Sequence, residues 1–138
     1  MKGNFLLLRL VFCIGIITPL TGQISFETQV SKKKLGLNER LRVDFVMNEN
    51  GDNFNPPNFQ DFQVVSGPQQ AVSRSWVNGV RSFSKKYTYF LMPKKKGTLN
   101  IQQAIVTIDG EVYKTSPVNI IVTAAVARPN DPNNVDYI

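Results

Sequence analysis

The dipeptide Asn78-Gly79 is the feature that most constrains how this chain can fold. Both central positions of a two-residue type I′ turn need a positive φ, which asparagine and glycine accept more readily than other residues. The pair stands between two runs rich in valine, serine, threonine and aromatic residues, a composition typical of β-strands. The sequence therefore predicts a β-hairpin from Gln70 to Pro93, with its register fixed by the turn.

This register places aromatic rings and cations together on one face of the hairpin tip. The predicted cross-strand pairs are Val77 with Val80, Trp76 with Arg81, Arg74 with Phe83 and Val72 with Lys85. Because Trp76 lies one residue from the turn, we expect it outside the core. Nearer the base of the return strand, residues 87, 89 and 91 are apolar or aromatic and share a face that we expect to be buried. A hairpin of this length is not stable alone in water, so other strands must pack against it.

Alternating apolar and polar residues predict further strands along the chain. They cover Ile24–Val30, Leu41–Val46, a short segment Asp61–Ser66 that ends in a turn at Gly67-Pro68, and Val118–Val122. Residues 48–58 are rich in turn formers and are predicted to be a loop. Phe54 in this loop and Phe59 and Phe62 just after it are expected to close one end of the fold, the alternative being a ligand platform. Between 98 and 108 the apolar residues change parity, which predicts a bulge near Gln102-Gln103. Asp109-Gly110 predicts a second tight hairpin.

These short strands, separated by turn signals, indicate one all-β domain. About seven strands in roughly a hundred residues are typical of an immunoglobulin-like antiparallel β-sandwich. We assign this domain to residues 24–126. The polar, proline-broken residues 127–138 are predicted to be a linker toward a following domain that is missing here, so the chain is expected to be a fragment of a longer protein.

Residues 1–23 have the three parts of a secretory signal peptide. Lys2 and Arg9 give a basic start, Leu10–Ile17 is apolar, and Pro19 is followed by small residues. We therefore expect export to the periplasm or the outer face of the inner membrane, with a retained N-terminal anchor as the alternative. The single cysteine, Cys13, falls inside this leader, so the rest of the chain has no thiol.

The remaining composition argues against most kinds of catalysis. The chain has no histidine and, after the leader, no cysteine, so it lacks the usual zinc ligands and the residues of a catalytic triad. Carboxylates such as Glu49, Asp52 and Asp61 remain, but nothing in the sequence pairs two of them for hydrolysis. We expect no enzyme activity, no metal and no cofactor.

The charge of the chain is mildly basic and has two interpretations. The net charge is +6, and lysines cluster at 32–34, 85–86 and 94–96. Such clusters could bind a polyanion, but lysine also keeps strand edges and turns from pairing with other chains, and we favour that second explanation. Binding to nucleic acid is further disfavoured by the export signal.

The hairpin tip is the best candidate interface in the sequence. Its six candidate residues are Arg74, Trp76, Val77, Val80, Arg81 and Phe83. Tryptophan and arginine carry a large share of the binding energy in protein interfaces. The alternative is that the two arginines only cover aromatic faces on a solvated sheet.

An ordered set of short motifs makes the sequence similar to a known bacterial family. The set comprises Val30-Ser31, residues 36–40, Val43 and Phe45, Asn53-Phe54, Pro56-Pro57, Phe59, Asp61-Phe62, Gly67-Pro68, Val77-Asn78-Gly79, Tyr89, Leu91, Pro93, Gly97-Thr98, Gly110, Tyr113 and Ser116-Pro117. In this set the chain resembles the first extracytoplasmic domain of the BatD, or aerotolerance, family. It departs from many members at Gln102-Gln103, where they have Gly-Pro.

The resemblance implies a domain organisation and a set of partner proteins that the residues alone do not indicate. BatD proteins combine a leader, several Ig-like domains and a C-terminal transmembrane helix, and they are encoded beside a MoxR-type ATPase and von Willebrand A-domain membrane proteins. The leading hypothesis is thus a non-enzymatic exported scaffold or protein-interaction module, with those envelope proteins as partners and the membrane anchor in a missing C-terminal part. The alternative is an Ig-like adhesion or glycan-binding module of a bacterial surface protein.

Overall fold

The computed structural model describes residues 23–127, and within them all regular structure is β-strand. The ten strands are β1 (Phe26–Val30), β2 (Lys34–Gly36), β3 (Leu41–Met47), β4 (Asp52–Asn55), β5 (Phe62–Val77), β6 (Val80–Pro93), β7 (Gly97–Ile101), β8 (Ile105–Ile108), β9 (Glu111–Lys114) and β10 (Val118–Thr123). The predicted signal peptide and linker lie almost wholly outside the described residues and remain predictions.

The strands form one large and two small sheets. The large sheet has the order β1-β3-β6-β5, and the small sheets have the orders β2-β10-β7 and β4-β8-β9. All pairings are antiparallel except β2 with β10, which run parallel. The all-β, immunoglobulin-like sandwich predicted from the sequence is confirmed.

The core is a single cluster to which all three sheets contribute. Strand β3 shows the alternation most clearly, since every second residue from Leu41 to Met47 is buried. The other buried apolar residues are Phe26, Leu35, Phe62, Tyr89, Leu91, Leu99, Ile101, Ala104, Val106, Ile108, Ile120 and Val122. Burial of each valine, leucine, isoleucine, methionine or phenylalanine in this cluster contributes roughly 1.5–3 kcal/mol.

A group of aromatic side chains packs on the core around Phe45 and Tyr89. Phe54 stacks on Tyr87 with ring centroids 4.0 Å apart and an angle of 3° between planes. Phe59 lies 5.2 Å from Tyr89, and both rings contact Phe45. Burial raises the pKa of the Tyr89 hydroxyl, with a smaller contribution from Tyr87, so Tyr89 stays neutral. Of the three phenylalanines predicted to close one end of the fold, Phe54 and Phe59 are half-buried against the core and Phe62 is a member of it.

The described residues hold ten strands, where the sequence predicted about seven. Two of the additional strands are very short: β2 lies inside the predicted crossing after Val30, and β4 lies inside the predicted loop 48–58. Strands of three or four residues give too little alternation to be recognised. Their pairing depends on β10 and β8, which are distant in sequence.

The predicted turn at Gly67-Pro68 is wrong. Strand β5 continues through this dipeptide, whose peptide bond is cis, and its pairing with β6 shifts register between Val64 and Ser66 and again between Ser66 and Gln69. The two shifts insert extra residues into β5 as bulges. A proline fits here because β5 is the edge strand of its sheet, where a ladder hydrogen bond can be missing.

The predicted bulge near Gln102-Gln103 is also wrong. Strand β7 ends at Ile101 and pairs with β10, whereas β8 starts at Ile105 and pairs with β4 and β9. The change of parity therefore marks the point where the chain passes from one small sheet to the other. Thr115 holds this crossing, because its backbone N–H donates to the Ala104 carbonyl and its hydroxyl accepts from the Ala104 N–H.

Candidate functional site

The long β5–β6 hairpin has the predicted register and extends beyond the core. Val77 pairs with Val80 around the turn, where φ is 52° at Asn78 and 77° at Gly79, as a type I′ turn requires. From Gln69 onward every residue of β5 is exposed. We call residues 69–86 the distal hairpin. Its strands pair regularly with each other, and most of its side chains face solvent.

One face of the distal hairpin carries the aromatic residues and cations that the register predicted. The Arg81 guanidinium lies 5.4 Å from the ring centre of its cross-strand neighbour Trp76. The Arg74 guanidinium lies 5.6 Å from the ring of Phe83, its own cross-strand neighbour. Trp76 is 67% exposed, which confirms its predicted place outside the core. The two arginines do cover aromatic rings, as the alternative interpretation held, and they leave much of the indole accessible.

This face forms one wall of an open groove of about 470 Å³. The residues that line it are Glu49, Asn50, Arg74, Ser75, Trp76, Arg81, Ser82 and Phe83. Four of the six residues predicted as an interface are thus brought together. Glu49 and Asn50 come from the loop between β3 and β4, and no local feature of the sequence indicates that this loop meets the hairpin.

Val77 and Val80 do not line the groove with the other predicted residues. They face each other beside the turn and are 62% and 67% exposed. Their position follows from strand alternation, which puts them on the face opposite Trp76. Next to them along the two strands, the hydroxyls of Ser75 and Ser82 form a hydrogen bond with each other.

Lys85 fixes the β3–β4 loop against the base of the distal hairpin. Its ammonium group donates to the Asn50 side-chain oxygen at 3.3 Å and to the Gly51 carbonyl at 3.2 Å, and it lies 5.6 Å from the ring of Tyr87. Lys85 is only 9% exposed, so the expectation of a solvated lysine is wrong at this position. The sequence does contain a signal for this burial, because Lys85 and Tyr87 are two residues apart in β6 and their side chains therefore lie on the same face. By contrast, all lysines at 32–34 and 94–96 are exposed, as expected.

The carboxylates considered for hydrolysis occupy different settings. Glu49 lines the groove, Asp52 begins β4, and Asp61 pairs with Lys95 at 3.3 Å. Within residues 23–127, no group of three or more His, Cys, Asp or Glu residues could hold a metal ion. In the same part of the chain, no helix is long and apolar enough to cross a membrane.

Positive charge dominates the distal hairpin. It contains two arginines and two lysines and no aspartate or glutamate. Among residues 23–127, the salt bridges are Lys32–Glu39, Arg42–Asp44 and Lys95–Asp61, all outside the distal hairpin. Its arginines therefore keep hydrogen-bond donors available for a ligand or a partner.

A comparison with models of protein families identifies the family of this β-sandwich. A family model described as the BatD DUF11-like domain matches residues 28–122. The chain belongs to the BatD family. The match extends from within β1 to within β10, so the BatD domain includes the whole hairpin as well as the core. The search of curated proteins found no match.

Proposed function

We propose that this BatD domain is a non-enzymatic, exported protein-interaction module that acts as a scaffold in the aerotolerance system. Its docking surface would be the groove face of the distal hairpin. The observation that supports this proposal is the combination of an exposed Trp76 with two arginines on an arm that contributes no residue to the core cluster. Large apolar side chains are costly to leave in water, and tryptophan and arginine are the residues most enriched at binding hot spots.

The geometry of the groove favours a protein partner. Its aromatic surface would bury an apolar side chain, and Arg74 and Arg81 could each bind a carboxylate. The cross-strand pairing holds both arginines beside rings, which reduces the conformational freedom that binding would cost. Lys85 holds Asn50 next to the same surface.

The expected setting follows from the family and the leader. The predicted signal peptide would direct the domain to the periplasm or the outer face of the inner membrane. By resemblance, the partners would be von Willebrand A-domain membrane proteins that function with a MoxR-type ATPase.

Glycan binding is the second candidate, because an exposed indole beside the Asn50 amide and the Glu49 carboxylate is suited to a sugar ring. However, the Arg81 guanidinium already occupies one face of the Trp76 ring. The genomic neighbourhood separates the two candidates. Genes for a MoxR-like ATPase and A-domain proteins favour the scaffold, whereas genes for glycan utilisation favour the adhesion module.

The Trp76→Ala variant tests the proposed docking surface. We expect its free energy of unfolding to stay within about 1 kcal/mol of the wild type, because the side chain is exposed. Its binding to a purified A-domain membrane protein from the same organism should fall by about 2 kcal/mol or more, as at a hot spot. Val112→Ala is the matched control, since Val112 is 61% exposed in β9. Unchanged binding by Trp76→Ala would refute the docking surface.

A further inference from the structure

The outer edge of β5 offers a second kind of contact that the side-chain groove does not use. In the sheet order β1-β3-β6-β5, strand β5 pairs on one side only. From Gln69 to Val77 this free edge is regular and spans about 30 Å. Edge strands of this kind can accept an additional strand, and natural proteins usually block them with bulges, prolines or lysines.

Features that hinder the pairing of a further strand occur only in the part of the β5 edge that lies beside the core. The register shifts and Pro68 lie between residues 64 and 69, beside the core. Between 69 and 77 the strand has no proline, no lysine and no bulge. The regular half is therefore the half that remains competent to pair.

The register identifies the backbone groups that face outward. In a two-residue hairpin, the residues beside the turn form a hydrogen-bonded pair, and bonded and non-bonded pairs then alternate. Because Val77–Val80 is the pair beside the turn, Trp76, Arg74 and Val72 direct their N–H and C=O groups to the free edge. These same residues place their side chains on the groove face.

We propose that the β5 edge from Gln69 to Val77 binds an extended, acidic segment of a partner protein as an added strand. Backbone hydrogen bonds would hold the segment, and alternate side chains would reach the groove face. This inference rests on the proposed function, since it describes how a partner engages the same hairpin.

Charge selects an acidic segment as the occupant. The distal hairpin contains no carboxylate and presents Arg74 and Arg81 as exposed cations in the groove, where Glu49 of the β3–β4 loop is the one carboxylate among the lining residues. A residue directly opposite Arg74 on an added strand would lie about 5 Å away, within reach of an ion pair. A second copy of this chain would instead bring two positively charged arms side by side, and like charges opposite each other destabilise a sheet.

The test uses a fluorescent nine-residue peptide in which glutamate alternates with threonine or valine. We expect saturable binding of this peptide to the full chain. Methylation of alternate backbone nitrogens of the peptide should reduce its affinity at least about tenfold. A peptide with lysine in place of every glutamate should also bind about tenfold more weakly. Equal binding of the methylated or the lysine peptide would overturn the inference, as would a dimer of the chain formed through this edge.

Variants of the protein test the same edge from the other side. Val72→Pro removes one outward N–H, a change that edge strands tolerate, and should reduce peptide binding about tenfold. Val72→Thr keeps that N–H and should bind as the wild type does. If the A-domain protein requires Trp76 while the peptide binds Val72→Pro normally, the docking surface stands and strand addition is overturned. If neither Trp76→Ala nor Val72→Pro changes any binding, both proposals fail.

Discussion

At the scale of single residues, the two lysines of the distal hairpin show how strand parity overrides composition. Lys85 and Lys86 are adjacent in sequence and would both be assigned to solvent on composition alone. Strand alternation turns Lys85 toward the same side as Tyr87, where it meets Asn50 and Gly51. The sequence contains this parity, but it does not show that a loop 35 residues away supplies the acceptors.

The Lys85→Met variant measures what this contact contributes to stability. It keeps the length of the side chain and removes the donor, which leaves the Gly51 carbonyl without its lysine partner. We expect a loss of about 1–3 kcal/mol in the free energy of unfolding, determined by urea denaturation. Lys86→Met is the control and should change stability by no more than about 0.5 kcal/mol. Equal losses in both variants would show that Lys85 acts only through charge.

At the scale of elements, hairpins with two-residue turns were predictable, whereas the course of β5 through Pro68 and the very short strands β2 and β4 were not. Asn78-Gly79 and Asp109-Gly110 each demand positive φ at both positions, and the structure has it at all four residues. These local rules fix the register without knowledge of the rest of the fold. The run of β5 through Pro68 depends on its place at the edge of the sheet, which only the complete topology reveals.

The Gly79→Ala variant tests whether the turn or the core holds the distal hairpin. Glycine at φ 77° is replaced by a residue for which this conformation costs about 1–2 kcal/mol. We expect amide hydrogen exchange of residues 75–82 to accelerate about tenfold, while the global unfolding midpoint hardly moves. Asn78→Gly should leave exchange nearly unchanged. A large fall in the global midpoint would indicate that the tip folds cooperatively with the core.

The turn between β2 and β3 predicts a dependence of stability on pH. Hydrogen bonds from Lys32 and from the Gly36 N–H to the Glu39 carboxylate lower its pKa below 4.5. A lowered pKa means that the folded state favours the charged form, so this contribution is present above pH 4.5 and is lost as pH falls through the lowered value. The Glu39→Gln variant should therefore have a lower free energy of unfolding than the wild type at pH 7. The difference between the two should shrink when unfolding is measured at successively lower pH. A difference that is constant down to pH 3 would contradict this.

At the scale of the whole molecule, the sandwich and the distal hairpin have separate roles. Tyr89 and Leu91 belong to the core cluster, whereas none of its members comes from residues 69–86. The sequence was sufficient to predict the sandwich because apolar alternation recurs in β1, β3, β10 and the core end of β6. It could not predict the groove, because the β3–β4 loop reaches the hairpin only through the folded topology.

A shortened hairpin tests this separation and the proposed function together. Deleting residues 74–77 and 80–83 keeps Asn78-Gly79 as the turn and joins it to Ser73 and Ser84, which already pair with each other. Lys85 and the core remain in place, so we expect the free energy of unfolding to change by no more than about 1 kcal/mol. The most direct measurement is the affinity of this variant for the A-domain membrane protein, compared with that of the full chain. We expect that the folded variant no longer binds, and binding as tight as that of the full chain would show that the distal hairpin is not the docking surface.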